Sequence, residues 1–135
     1  MIQLKYMLLL AALVLTTNIS AKALKTNHMY MFGFSASFKD SVVYVTDIQD
    51  IQGVWIETKS KFLIERDKYS EQLKTHLSEQ LQQNDRVCVV FFDKSKKKAE
   101  KKYLKLMKKY KKGYEIRYLN ATEFKFEAVD MTESE

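Results

Sequence analysis

Between Arg86 and Asp93 the chain runs Val87-Cys88-Val89-Val90-Phe91-Phe92 without one polar interruption. The run is too short for a helix and lacks the alternation of a strand with one wet face. It reads as a strand covered on both sides, the expected centre of a sheet. What precedes and follows it in the sequence must then supply the cover.

The strongest alternation lies earlier. From His28 to Phe38, Tyr30, Phe32, Phe34, Ala36 and Phe38 occupy one side, while Met29, Met31, Gly33, Ser35 and Ser37 occupy the other. That pattern predicts a strand with an aromatic face turned inward. Val42 to Ile48 is β-branched and aromatic, and Lys39-Asp40-Ser41 separates it from the first strand, so the two form an antiparallel hairpin. Gly33, inside a strand, marks a bulge or a close approach by another backbone. A shorter β-type run, Gly53 to Thr58, carries the only tryptophan, Trp55.

Two stretches change to helical spacing. Tyr69, Leu73, Leu77 and Leu81 recur every four residues within Asp67 to Gln83, with Asp67 as the expected N-cap and Asn84 as the stop. After the apolar run, Ala99, Tyr103, Leu106 and Tyr110 mark a second helix that Gly113 closes. Tyr114 to Leu119 returns to strand alternation, and Glu123 to Val129 is expected to add an edge strand. The order is β-β-(β)-α-β-α-β, with a parallel crossover between Arg86 and Leu119. The fold class is α+β: a single small domain in which a mixed sheet of four to five strands, an N-terminal antiparallel hairpin plus a βαβ unit, packs with two helices.

The N-terminus has a separate logic. Lys5 precedes the apolar stretch Tyr6 to Leu15, and polar Thr16-Thr17-Asn18 lead to Ala21-Lys22-Ala23. These are the three parts of a secretory signal peptide, and the apolar run falls short of the roughly 20 residues that span a bilayer. Residues 1–23 are therefore expected to be cleaved, leaving a domain over 24–129, an acidic tail over 130–135 and no membrane span. Export makes disulfides permissible, but Cys88 is the only cysteine, so stability must come from packing. The product is expected to be periplasmic or secreted.

Charge is unevenly distributed. The whole chain is +6, yet Lys94 to Lys112 holds eleven lysines against Glu100 alone. Lys94, Lys97, Lys98, Lys101, Lys102, Lys105, Lys108, Lys109 and Lys112 fall within an arc of roughly 140° opposite the apolar stripe of the second helix. Such a face suits a polyanion or an anionic surface, or simply remains solvated. Lysine is a hydrated point charge rather than a phosphate-reading fork, and this helix has no arginine. Its apolar stripe also lacks the Trp and Phe of a membrane-surface helix.

No motif carries a reaction. His28 and His76 are the only histidines, and Gly33-Phe34-Ser35-Ala36-Ser37 lacks the second glycine of a nucleophile elbow. Cys88 in an apolar run is structural rather than reactive. No spacing of His, Cys, Asp and Glu is that of a zinc or calcium site, and no cofactor is implied. Asp47, Asp50, Glu57, Glu65 and Asp67 gather between hairpin and first helix, where loop and capping roles account for them.

The string Phe32-Gly33-Phe34-Ser35-Ala36-Ser37-Phe38-Lys39-Asp40-Ser41-Val42-Val43-Tyr44, with the apolar run and the lysine segment, resembles small exported proteins of unknown function from Bacteroides-type bacteria. The resemblance implies a periplasmic or secreted place and brings no catalytic residues. Asp40-Ser41-Val42 is similar to the O-glycosylation pattern of exported proteins in such bacteria, which makes Ser41 a candidate. Asn120-Ala121-Thr122 matches the N-glycosylation pattern, which matters only in a eukaryote. The expected function is that of a non-enzymatic binding protein of the cell envelope or exterior, with a protein or envelope partner meeting the lysine face or the hairpin edge. Polyanion binding is the alternative, and a small hydrolase built on His76 or the loop acids ranks last.

Overall fold

The computed structural model describes residues 23–130, so the signal-peptide reading, apart from Ala23, and all of the acidic tail but Asp130 lie outside the described residues. The elements are β1 (Ala23–Lys25), β2 (Met29–Ala36), β3 (Val42–Thr46), β4 (Gln49–Ile51), β5 (Trp55–Glu57), α1 (Arg66–Leu81), β6 (Val87–Asp93), α2 (Lys96–Tyr110) and β7 (Glu115–Leu119). The fold is α+β, with a mixed five-stranded sheet between two helices and a two-stranded antiparallel pair, β1 with β5, beside it.

The sheet is organised around β2. One side of β2 pairs antiparallel with β6, from Tyr30 opposite Asp93 to Ala36 opposite Val87. Its other side pairs antiparallel with β3 and then β4, and β3 pairs parallel with β7. The unbroken apolar run is thus an edge strand, and the alternating strand of the hairpin is the central one. The reason is visible in the cover. Met29, Met31 and the Gly33 backbone face α1, whereas Phe34 faces α2, so both faces of β2 are buried. β6 keeps Val90 fully buried but leaves Val87 and Val89 partly open, at 52% and 37% exposure. Since β6 and β7 both run parallel to β3, the crossover through α2 is parallel as its short connections predict, with β2 and β3 lying between the two strands.

β3 and β4 form one bent strand. The register passes from Val45 opposite Phe34 to Gln49 opposite Met31, which leaves one extra residue in between, a bulge. There the Thr46 hydroxyl accepts from the Gly33 amide at 2.8 Å and donates to the Asp47 carbonyl at 2.9 Å. The bulge therefore sits on the strand opposite Gly33. Gly33 itself marks a close approach, but by side chains rather than by another backbone: a Cβ there would lie 2.7 Å from Leu73 Cδ2 and 3.0 Å from Phe126 Cζ.

Two helix ends and one strand differ from expectation. Helix α1 begins after its N-cap Glu65, whose backbone is left-handed (φ 59°) and whose side chain makes no capping hydrogen bond; Asp67 falls in the first turn, where its charge still suits the dipole. Its C-cap is Gln82, also left-handed, and Asn84 instead accepts from the Ser78 hydroxyl. Beyond β7, residues 120–130 make no strand. Phe124 and Phe126 alternate inward as a strand would, but side-chain amides take the place of a neighbouring strand. Gln49 donates to the Phe124 carbonyl and accepts from the Phe126 amide, and Gln72 treats Glu127 in the same way.

Buried Arg86 locks the start of β6 to the hairpin turn. It donates to the Val42 carbonyl at 2.7 Å and to both Asp40 oxygens at 3.1 Å, and stacks over Tyr44. The hairpin has no free edge for a partner, because β6 and β7 occupy its two sides.

Candidate functional site

Helix α2 lies on the sheet face opposite α1, anchored by Ala99, Tyr103, Leu106, Met107 and Tyr110 against Phe34, Val43 and Val45. Tyr103 meets Phe32 edge-on, and Tyr110 packs against Phe34. Its start is fixed locally: Asp93 accepts from the Ser95 amide, and the Ser95 hydroxyl accepts from the Lys98 amide. It ends at Tyr110, with Lys111 still right-handed as C-cap and Gly113, at φ +84°, turning the chain toward β7.

Burying the apolar stripe turns the lysines outward. Lys94, Lys97, Lys98, Lys101, Lys102, Lys105, Lys108, Lys109 and Lys112 are all exposed, with Lys111 beside the arc and Lys96, also exposed, on the opposite side of the helix. Among the described residues, only Lys102 of these meets a carboxylate, Asp93 at 3.3 Å, while also donating to the Phe92 carbonyl. The others form a single-sign face without an acid partner. Its composition opposes the helix dipole at one end, since the first turn of α2 has no acid and carries Lys96, Lys97 and Lys98. Positive side chains at a helix N-terminus cost stability, and an incoming anion relieves that cost. Lys108 and Lys109 in the last turn suit the dipole.

The remaining candidates are not brought together. His28 pairs with Asp50 at 2.9 Å on the surface, while His76 lies in α1 with its ring against Phe124. Asp47 accepts from the Ala121 amide, Glu57 from the Ser60 hydroxyl, and Glu65 pairs with Lys68, so the loop acids hold local structure. Cys88 is half-buried, its thiol directed at the Ser35 hydroxyl 3.5 Å away. Burial pushes that thiol up from 9.0, against the smaller opposing effects of Ser35, Lys74 and Arg86, so its thiolate is scarce at neutral pH. Among the described residues no group of three or more His, Cys, Asp or Glu could hold a metal ion, and no helix is long and apolar enough to cross a membrane.

Ser41 is exposed in the hairpin turn, where its carbonyl accepts from the Glu115 amide. Asn120 is exposed just after β7, and its side-chain oxygen receives the Thr122 hydroxyl and the Thr122 and Glu123 amides. Sequence reasoning missed Arg66 and the placement of Lys102 at the outer edge of β6, and no local signal carries either, because both depend on which strand is outermost. Comparison of the chain with protein-family models, curated proteins and solved structures returns no match.

Proposed function

We propose that the chain is an exported, non-enzymatic binding domain of the cell envelope or exterior, and that the lysine face of α2 is its contact surface for an anionic partner. One observation carries this reading. A helix that buries its apolar side against the sheet presents a continuous array of lysines, and among the described residues only Lys102 of that array is neutralised by a carboxylate. Point charges without forked donors favour a ligand of high charge density over one recognised by geometry, such as an acidic glycan, an anionic lipid surface or another polyanion.

The test is retention of the protein on heparin, on vesicles containing anionic lipid and on acidic glycans across a salt series. Wild type is compared with a variant in which Lys98, Lys101, Lys105 and Lys109, all exposed, are changed to glutamine. Binding should fall steeply with salt and be largely lost in the variant. Equal retention of wild type and variant, or no retention of either, sinks the reading.

A further inference from the structure

We propose that the outer edge of β6 is a docking site for an extended segment of a partner protein, apolar at alternate positions and acidic where it passes Arg66. Among the described residues β6 pairs only with β2, and the registers fix which of its backbone groups face outward. Gly33 sends its amide away from β6, to the Thr46 hydroxyl, so the Gly33–Val90 pair is one of the non-hydrogen-bonded pairs of the ladder. Val90 therefore directs its own N–H and C=O to the outside, and by alternation so do Cys88 and Phe92. Two cations mark the same parity independently. Arg66 of α1 donates to the Val90 carbonyl at 2.9 Å, and Lys102 of α2 donates to the Phe92 carbonyl at 2.8 Å.

The two halves of this edge differ. Toward Asp93, Arg66 and Lys102 arrive from opposite faces of the sheet and flank the Phe92 ring, at 5.4 and 5.8 Å from its centroid. Toward Val87 the edge is bare of such guards and lies between two grooves. The groove on the α2 side, about 450 Å³, is mainly apolar, with Phe38, Val89, Leu106, Tyr110 and Tyr114 in its wall. The groove on the α1 side, about 520 Å³, also has an apolar floor along Val87 to Val90 but is rimmed by charge of both signs, with Arg66 and Lys74 set against Asp67 and Glu71. Side chains of an added strand alternate between these two grooves, which asks for apolar residues on the α2 side and admits charged ones at the rim of the α1 side. Phe38, 96% exposed, stands at the mouth of the apolar groove.

Charge decides the occupant. Arg66 meets no carboxylate among the described residues, and its bond to a neutral carbonyl leaves it able to take one. A second copy fits poorly. Two-fold pairing of β6 with itself would set both α2 helices on the same face of a continuous sheet, side by side, each within a 94–112 segment of eleven lysines and one acid. An acidic segment gains from the field that a second copy would have to overcome.

The proposal is tested on the full chain, isotope-labelled, with a short blocked peptide alternating valine and glutamate. Binding should slow hydrogen exchange at the amides of Cys88, Val90 and Phe92, and Arg66→Gln should weaken it roughly tenfold. A peptide N-methylated at alternate residues should fail to bind, which reads strand pairing without altering the protein. A variant with Lys98, Lys101 and Lys105 changed to glutamine, which spares Lys109 in the wall of the apolar groove, should retain peptide binding in about 0.15 M salt, where the field of the lysines is screened, so loss of the polyanion reading would leave this one standing. Four results overturn it: no binding, equal binding of the lysine counterpart of the peptide, binding that leaves the three edge amides unprotected, or protection of those amides by self-association alone.

Discussion

Gly33 shows how one residue couples the sheet to its cover. Its missing side chain admits Leu73 from α1 and Phe126 from the C-terminal segment, so a Cβ would meet them at 2.7 and 3.0 Å. Contacts that short cannot be kept, and both neighbours belong to buried side chains with little room to withdraw. Gly33→Ala should therefore destabilise the protein by about 1–3 kcal/mol, the usual cost of overpacking a closed core. Urea denaturation of the two proteins measures it, and an unchanged midpoint would mean that α1 slides outward at little cost. The glycine was legible as a constraint of this kind because a strand interior otherwise disfavours it. What approached it was not legible, since Leu73 and Phe126 lie forty and more residues away in sequence.

At the scale of elements, the C-terminal segment is held by two glutamines. Gln49 is buried and gives residues 124 and 126 both halves of a peptide-like hydrogen-bond pair, while Gln72 does the same for 127 from a more open position. Replacing Gln49 by methionine keeps the volume but strands a carbonyl and an amide, at a cost of about 2–4 kcal/mol. Gln72→Met should cost under about 1 kcal/mol, because water can replace its bonds. Denaturation gives the two values, and hydrogen exchange at the Phe126 amide should quicken sharply only in the first variant; equal effects would refute the burial argument. The same segment explains why Glu123 to Val129 reads as a strand: inward alternation depends on what lies beneath the chain, and a glutamine side chain satisfies its backbone as well as a neighbouring strand does. A similar ambiguity displaced the sheet centre. An unbroken apolar run records contact on two faces, and β6 has that contact along Val90 to Phe92 without being flanked by strands on both sides. Helices α1 and α2 and the lysine face were readable because their periodicity is local. The order of strands, and with it the open edge, is set by pairings that no local pattern encodes.

For the whole molecule the governing quantity is the distribution of charge. Lysines four apart on α2, such as Lys97 and Lys101, Lys98 and Lys102, Lys101 and Lys105, or Lys105 and Lys109, are neighbours on the helix surface and share one sign. Each such pair costs about 0.2–0.5 kcal/mol in an exposed helix, and the three lysines of the first turn add the unfavourable dipole interaction. Among the described residues Asp93 is the one carboxylate within ion-pair distance of these lysines, whereas repulsion within the helix acts at about 5–6 Å between many of them. Added salt should thus screen chiefly the repulsion at low concentration. The thermal midpoint of the wild-type protein should rise as sodium chloride is increased from near zero to about 0.15 M, where the Debye length reaches about 8 Å. With Lys98, Lys101, Lys105 and Lys109 changed to glutamine, the midpoint at low salt should be higher and the salt-dependent rise smaller. A variant less stable than wild type at low salt would show that the lysines are paired in the folded protein, and that the face is not free to receive an anion. The same surface therefore weakens the isolated fold and favours whatever negative partner can relieve the repulsion, so that stability at low salt and affinity for a polyanion should move in opposite directions as lysines are removed.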